Sequence, residues 1–277
     1  MSKKMTKEHR TVLLRGIFAG ILILAAAFGK LLVRHDPYQV NMRAAFQKPG
    51  GEYLFGTDNL GRCVFCRIVT GSRTSLFSAL LVILIVFVVG TLIGAAAGYM
   101  GGLADEILMK TALIFQAFPA FILAVAVAGI LGVGLRNSIL ALCAVYWATY
   151  AKLARSLVVT MKNENFIYAA RLNGAPGYVV VFRYIFPNIV GTMSVAAAAD
   201  VGSVILNMAG LSFLGLGAVR PTAEWGAVMG EADKYLQNAP WIIGFNGAAL
   251  FVVVVVFQLL GDSIRDIMDA SDKRKYT

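Results

Sequence analysis

The residues of this chain that could do chemistry are few, and most stand alone. Cys63 and Cys66 form a C-x-x-C pair. Without a second pair or a neighbouring histidine in the sequence, such a pair is a weak zinc or redox signal, and the bland reading of two small packed thiols is favoured. Cys143 reads as a small packing residue. Ser212 lies in a G-x-S-x-x-G run from Gly210 to Gly215, which is not a nucleophile elbow. Both histidines, His9 and His35, fall outside the apolar stretches, so an intramembrane hydrolase would lack its base. No G-x-x-x-x-G-K-[ST] occurs, so the chain cannot cradle nucleotide phosphates in a P-loop of its own. That leaves Asp200, an isolated carboxylate in an apolar stretch. Such a group costs at least ~2.5 kcal/mol to insert into a bilayer and faces a cavity or a partner. Two roles for it are evenly matched: attracting a cation or an amino terminus, or pairing with a polar residue of a partner chain.

These residues must be held by membrane-spanning helices. Of the 277 residues, 58% are hydrophobic and only 14% charged, against about 25% charged in a typical soluble domain. No Asp, Glu, Lys or Arg occurs between Arg73 and Asp105, between Lys110 and Arg136, or between Lys234 and Asp262. Each gap exceeds the ~20 residues a helix needs to cross the hydrocarbon. Three further spans are expected. Residues 12–33 follow a basic start (Lys3, Lys4, Lys7, Arg10) without a small-residue cleavage site, and Lys30 and Arg34 read as snorkelling anchors of a retained span. The 15 uncharged residues between Arg136 and Lys152 suffice if the flanking cations reach the interface. Arg183 to Arg220 holds one more helix plus a re-entrant or interfacial piece. The glycines Gly90, Gly94, Gly98 and Gly129 either pack helices or let them rock, and Pro119 is expected to kink the third span.

Six spans place both termini on one side, together with the segment Lys152 to Arg183 and the tail Lys273, Arg274 and Lys275. The positive-inside rule makes that side the cytoplasm. The expected organisation is a cytoplasmic N-terminus (1–11), a first span (12–33), an extracellular segment (34–73), a core of five helices (74–262) and a cytoplasmic tail (263–277). Arg43, Lys48, Arg62 and Arg67 run against it by falling outside. The net charge of +10 brackets the spans and reads as topology, not as a nucleic-acid footprint.

The longest cytoplasmic loop, from Thr160 to Asn188, reads as two short helices. Glu164 to Arg171 precedes Asn173-Gly174, and Tyr178 to Phe186 precedes Pro187. The small residues Ala169, Ala170 and Gly174 would let a partner surface approach, as suits a helix that docks into a groove.

Tyr168-Ala169-Ala170, three residues, Gly174, and then Ile185-Phe186-Pro187 resembles the EAA loop of ATP-binding-cassette importer permeases, with Tyr168 in place of the glutamate and Phe186 in place of a leucine. Gly56-Thr57-Asp58, two residues, Gly61-Arg62 resembles the G-T-D-x-x-G-R signature of the peptide and nickel permeases, with Cys63 and Cys66 where Asp and Ser are usual. Gly210 to Gly217 followed by Pro221-Thr222-Ala223-Glu224-Trp225-Gly226 is similar to that family's later signature. The resemblance covers residues 50–265 and implies an all-α integral membrane protein of the type I importer permease fold, C-type, with six transmembrane helices and a cytoplasmic coupling helix.

It further implies that the chain is a transport subunit and no enzyme, in a bacterial or archaeal cell membrane. A second homologous permease would pair with it. Two ATPase subunits carrying ATP and Mg would dock on Tyr168, Ala169, Ala170, Gly174 and Pro187, and an extracellular binding protein would deliver the solute. Asp200, Asn207 and the 221–226 stretch look more like the nickel branch than the dipeptide branch, which makes nickel or a metal chelate the expected cargo and a dipeptide or oligopeptide the alternative. The spans themselves offer no nickel site, since Ni²⁺ prefers imidazole or thiolate to a solitary carboxylate. A secondary transporter would explain the spans and Asp200 but not the loop spacing.

Overall fold

The structure, a computed structural model, describes residues 2–272, with side chains from Arg10 to Ile267. The basic tail Lys273, Arg274 and Lys275 lies outside the described residues. The elements are α1 (Ser2–Phe28), α2 (Val64–Met100), α3 (Gly102–Gln116), α4 (Ala120–Leu131), α5 (Leu135–Met161), α6 (Asn165–Leu172), α7 (Gly177–Val179), α8 (Phe186–Phe213), α9 (Trp225–Ala232) and α10 (Pro240–Asp272). Short 3₁₀ turns supplement them, and no strand is formed among the described residues.

Among the described residues, four helical runs are long and apolar enough to cross a bilayer alone: residues 10–31, 64–100, 177–213 and 240–267. Helices α3 and α4 pass that test only as a pair bent by 95°. The sequence predicts a kink at Pro119, and the structure has a full break there. Proline takes the N-cap position of α4 and restarts the chain in a new direction. Helix α5 has the length of a span at 27 residues, but Arg136, Asn137, Lys152 and Arg155 dilute its apolar character.

The centre of the bundle is α2 packed on α5 and flanked by α8. Gly90, Gly94 and Gly98 line one face of α2 at four-residue spacing, and a methyl group at Gly94 would collide with the Ala151 backbone. Added carbons at Gly90 and Gly98 would lie 2.9 Å from the carbonyl oxygens of Trp147 and Arg155. Close approach of two backbones is what small residues at this spacing allow. Gly129, by contrast, has open space beside it.

Helices α1 and α10 run antiparallel: Arg15 donates to the Leu259 carbonyl at 2.8 Å and to the Ser263 hydroxyl. The single chain encloses little of its apolar surface. In the most apolar stretch of α2, 44% is buried, against 17% in α1 and 22% in α10. Surfaces of this kind suit lipid or a partner helix.

The loop helices depart from expectation at one point. The sequence predicts that the second short helix ends before Pro187, but the helical run continues from Gly177 to Phe213. Residues Val180–Ile185 form a π-helical segment in which the Phe186 N–H donates to the Val181 carbonyl. The wider register absorbs the proline, which then sits in the first turn of α8, where its missing N–H removes little. The Asn188 side-chain amide donates to the Tyr184 carbonyl at 2.6 Å and occupies an acceptor nearby.

Candidate functional site

Three groups of residues stand out, one at each end of the bundle and one between α5 and α8. The first is the loop after α5. Helix α6 buries Ile167 and Ala170 and exposes Tyr168 and Ala169. Ile167 packs with Ala95, Val158, Val180, Ile185 and Ile189, which fixes the loop against α2, α5 and α8.

Gly174 ends α6 at φ +80°. Its N–H donates to the Arg171 carbonyl at 2.9 Å, and the Ala175 N–H donates to the Ala170 carbonyl at 3.0 Å. This is a Schellman closure, and its left-handed residue favours glycine. The Arg171 guanidinium lies over the Tyr99 ring at 5.3 Å, a cation–π contact with the end of α2. What remains outward is apolar: Leu172 is 89% exposed and Tyr178 70% exposed, with Phe166, Tyr168 and Phe182 also open. Pro187 is exposed as well.

The second group forms a polar seam between α5 and α8. Asp200 and Asn207 are two turns apart on one face of α8, and both are half-buried. The Asn207 amide donates to the Tyr146 hydroxyl at 2.6 Å. Tyr150, four residues after Tyr146, presents its buried hydroxyl toward Asp200 without meeting full hydrogen-bond geometry. Sequence reasoning found the two α8 residues but missed both tyrosines. Their i, i+4 spacing on one face of α5 was the available signal.

The third group closes the opposite end of the bundle from the α6 loop. In the stretch Gly56 to Arg62, Thr57 accepts from the Gln47 N–H at 2.8 Å, and Asp58 accepts from the N–H groups of Leu60 and Arg62 at 2.9 Å each. Arg62 Nε meets Asp58 Oδ2 at 2.6 Å, and Arg62 Nη2 meets Glu231 Oε2 at 2.9 Å. Arg67 is fully buried, 3.7 Å from Asp58 and 3.8 Å from Glu231, and Arg220 reaches Glu231 at 3.1 Å. The signature residues thus tie the first loop to the segment after α8.

Glu224 caps α9 by accepting from the Ala227 N–H at 2.8 Å, and it accepts from the Ser75 hydroxyl at the same distance. Burial pushes its carboxyl above the usual range, although these donors pull the other way. Ser212 is buried, and its Oγ accepts from Ala218 N–H at 3.4 Å. It closes the turn after α8.

Helix α2 begins at Val64, so Arg67 and Arg73 belong to it. Sequence reasoning placed Arg67 in the loop because a charge interrupts an apolar run; here the charge is paired and buried. Arg67, Glu231 and Arg220 were not singled out as partners. Two arginines against the single Asp58 were the sign that another carboxylate had to approach. The structure also brings His35 to Cys63 and Cys66, although the sequence shows no histidine within 27 residues of either cysteine.

A family model described as a binding-protein-dependent transport system inner membrane component matches residues 90–273. The nickel transport system permease protein NikC of Escherichia coli is 38% identical over 254 residues, which is 91% of each chain. The dipeptide transport system permease protein DppC of Alkalihalophilus pseudofirmus is 35% identical over 98% of this chain and 89% of the relative. The probable D,D-dipeptide transport system permease protein DdpC of Escherichia coli is 34% identical over 96% of this chain and 89% of the relative.

Proposed function

This chain belongs to the permeases of the peptide and nickel ATP-binding-cassette importers, transport subunits that are not themselves enzymes, and from that premise we propose that it forms half of a path for nickel or a metal chelate. A second homologous permease completes the path, two ATPases carrying ATP and Mg dock below, and a solute-binding protein docks above.

The observation that carries the importer mechanism is the α6 loop. It is anchored on its inner face by Ile167 and on α2 by Arg171, while its outer face of Leu172, Tyr178 and Phe182 is apolar and unpartnered. Such a face fits a groove in the ATPase, with Tyr168, Ala169, Ala170, Gly174 and Pro187 at or near the contact. Tyr168 then meets its partner through ring area where a glutamate would use charge.

Six spans complete the proposed topology, with α3–α4 as a broken third span and α5 as the fourth. Arg155, on α5, is held by Asp105 at 2.6 Å, and Lys152 reaches Gln116 at 3.4 Å, which lessens the burden of cations on that helix. Both termini face the cytoplasm in this arrangement. Arg62 and Arg67 no longer weigh against it, because buried pairing with Asp58 and Glu231 removes them from the count of free loop cations.

Nickel is favoured by the likeness of Asp200, Asn207 and the 221–226 stretch to the nickel branch and by the nickel permease relative; the seam of Asp200, Asn207 and Tyr146 is no nickel site, and in this reading a cation or its chelate crosses it loosely held. Dipeptide import is the second reading, supported by relatives of similar identity, and in it Asp200 meets the peptide amino terminus. Uptake of radioactive nickel and of a labelled dipeptide by cells with and without the gene, with and without a free chelator, separates the two. Loss of nickel uptake alone is expected; loss of dipeptide uptake alone overturns the metal cargo and leaves the importer intact.

A further inference from the structure

We propose that His35, Cys63 and Cys66 form a binding site for a thiophilic transition-metal cation, separate from the polar seam between α5 and α8. One imidazole nitrogen and two sulfurs lie within 4.8 Å of one another. Three atoms so placed can converge on one ion with bonds of about 2.0–2.3 Å.

The placement follows from local structure. Cys63 is the N-cap of α2, and its Sγ accepts from the Cys66 N–H at 3.3 Å, so the two thiols share the first turn of the helix. A helix N-terminus favours the thiolates that a metal requires. His35 arrives from the segment after α1 and is held by stacking on Tyr53, with ring centroids 5.0 Å apart and planes at 29°. Both thiols are free, and both are buried.

A cavity of about 170 Å³ opens onto the same atoms, lined also by Arg34, Glu52 and Leu54. Three protein ligands with space at the fourth position describe an open site, with water completing the shell. Simple packing of small thiols accounts for their burial, but not for an imidazole beside them or for a cavity with a charged rim. Binding displaces the thiol protons and changes no oxidation state.

The face of the membrane on which this site opens rests on the proposed topology, whereas binding itself does not depend on the cargo. The test is made on the chain purified with its partner subunits under a phosphine reductant and titrated with Co²⁺. Near-ultraviolet sulfur-to-cobalt charge-transfer absorption is expected, saturating at one equivalent per chain and displaced by Zn²⁺. Cys63→Ser with Cys66→Ser abolishes it, His35→Ala weakens binding about tenfold or more, and Cys143→Ser leaves it intact.

X-ray absorption on the zinc-loaded natural chain gives an answer without any variant: two sulfur scatterers are expected. A shell of nitrogen and oxygen alone overturns the proposal, as does a charge-transfer band that survives in the double serine variant. A Cys63–Cys66 disulfide in protein isolated without reductant also overturns it. Failed nickel uptake would leave these spectra unchanged, and a failed spectrum would leave the transport reading standing.

Discussion

Arg62 Nη2 lies 2.9 Å from Glu231 Oε2, across 169 positions of sequence, while the same guanidinium holds Asp58 four residues behind it. One buried side chain therefore joins the loop before α2 to the end of α9. Breaking such a pair leaves a charge without compensation, at about 3–5 kcal/mol. Glu231→Ala is expected to lower the amount of folded chain in membranes and its thermal midpoint in detergent, with Glu231→Gln milder. An unchanged midpoint for the alanine variant would show that the cluster is not a structural tie.

Gly174→Ala places a methyl group at φ +80°, in open space but in a left-handed backbone conformation. The cost is roughly 1–2 kcal/mol, confined to the loop. The chain should still insert, and co-purification of the ATPase subunits should fall several-fold. Leu172→Asp should have the larger effect on the same measurement, because it places a charge on the most exposed apolar residue of the loop.

Gly94→Val and Gly129→Ala form a contrasting pair. The first drives a branched side chain into the Ala151 backbone and should prevent the close packing of α2 on α5, seen as aggregation on size exclusion. The second meets nothing and should behave like the natural chain. Equal behaviour of the two would remove the glycine stripe from the account of the bundle.

Glu224 is a buried carboxyl that caps α9 through Ala227 and meets Ser75. Because burial favours its neutral form, Glu224→Gln is expected to keep most of the stability. Glu224→Ala, which strips the cap and removes the acceptor of the Ser75 hydroxyl, should cost about 1–2 kcal/mol in thermal unfolding.

Asp200→Asn removes charge while keeping shape. If the seam passes a cation, initial uptake falls about tenfold and the amount of chain does not change. If Asp200 serves only to pair with the neighbouring permease, the heterodimer weakens and uptake falls only in proportion. Comparing uptake per assembled complex separates these outcomes.

The sequence made the helices legible where physics acts over short distances. Uninterrupted apolar runs marked α2 and α10, and Asn173-Gly174 marked the end of α6. It misled where one residue has two local solutions. Pro187 could end a helix or begin one, and the π-helical turn before it chooses the second. Pro119 could kink or break, and nothing near it in the chain records the 95° turn. The sites divide in the same way. Asp200 was visible because a lone charge among apolar residues has no neutral explanation. His35 beside Cys63 and Glu231 beside Arg62 were not visible, because the contacts depend on how distant segments return to the start of α2.

Helix α2 contains no proline among its 37 residues. One of its ends carries Arg67 in the ion cluster, and the other carries Tyr99 under Arg171 of the α6 loop. The two are about 48 Å apart along the axis at a helical rise of ~1.5 Å per residue. No proline interrupts the helix between them, so one element positions both the ion cluster and the contact with the α6 loop. A substitution that bends α2 would therefore disturb the buried ion pairs at one end and the cation–π contact at the other.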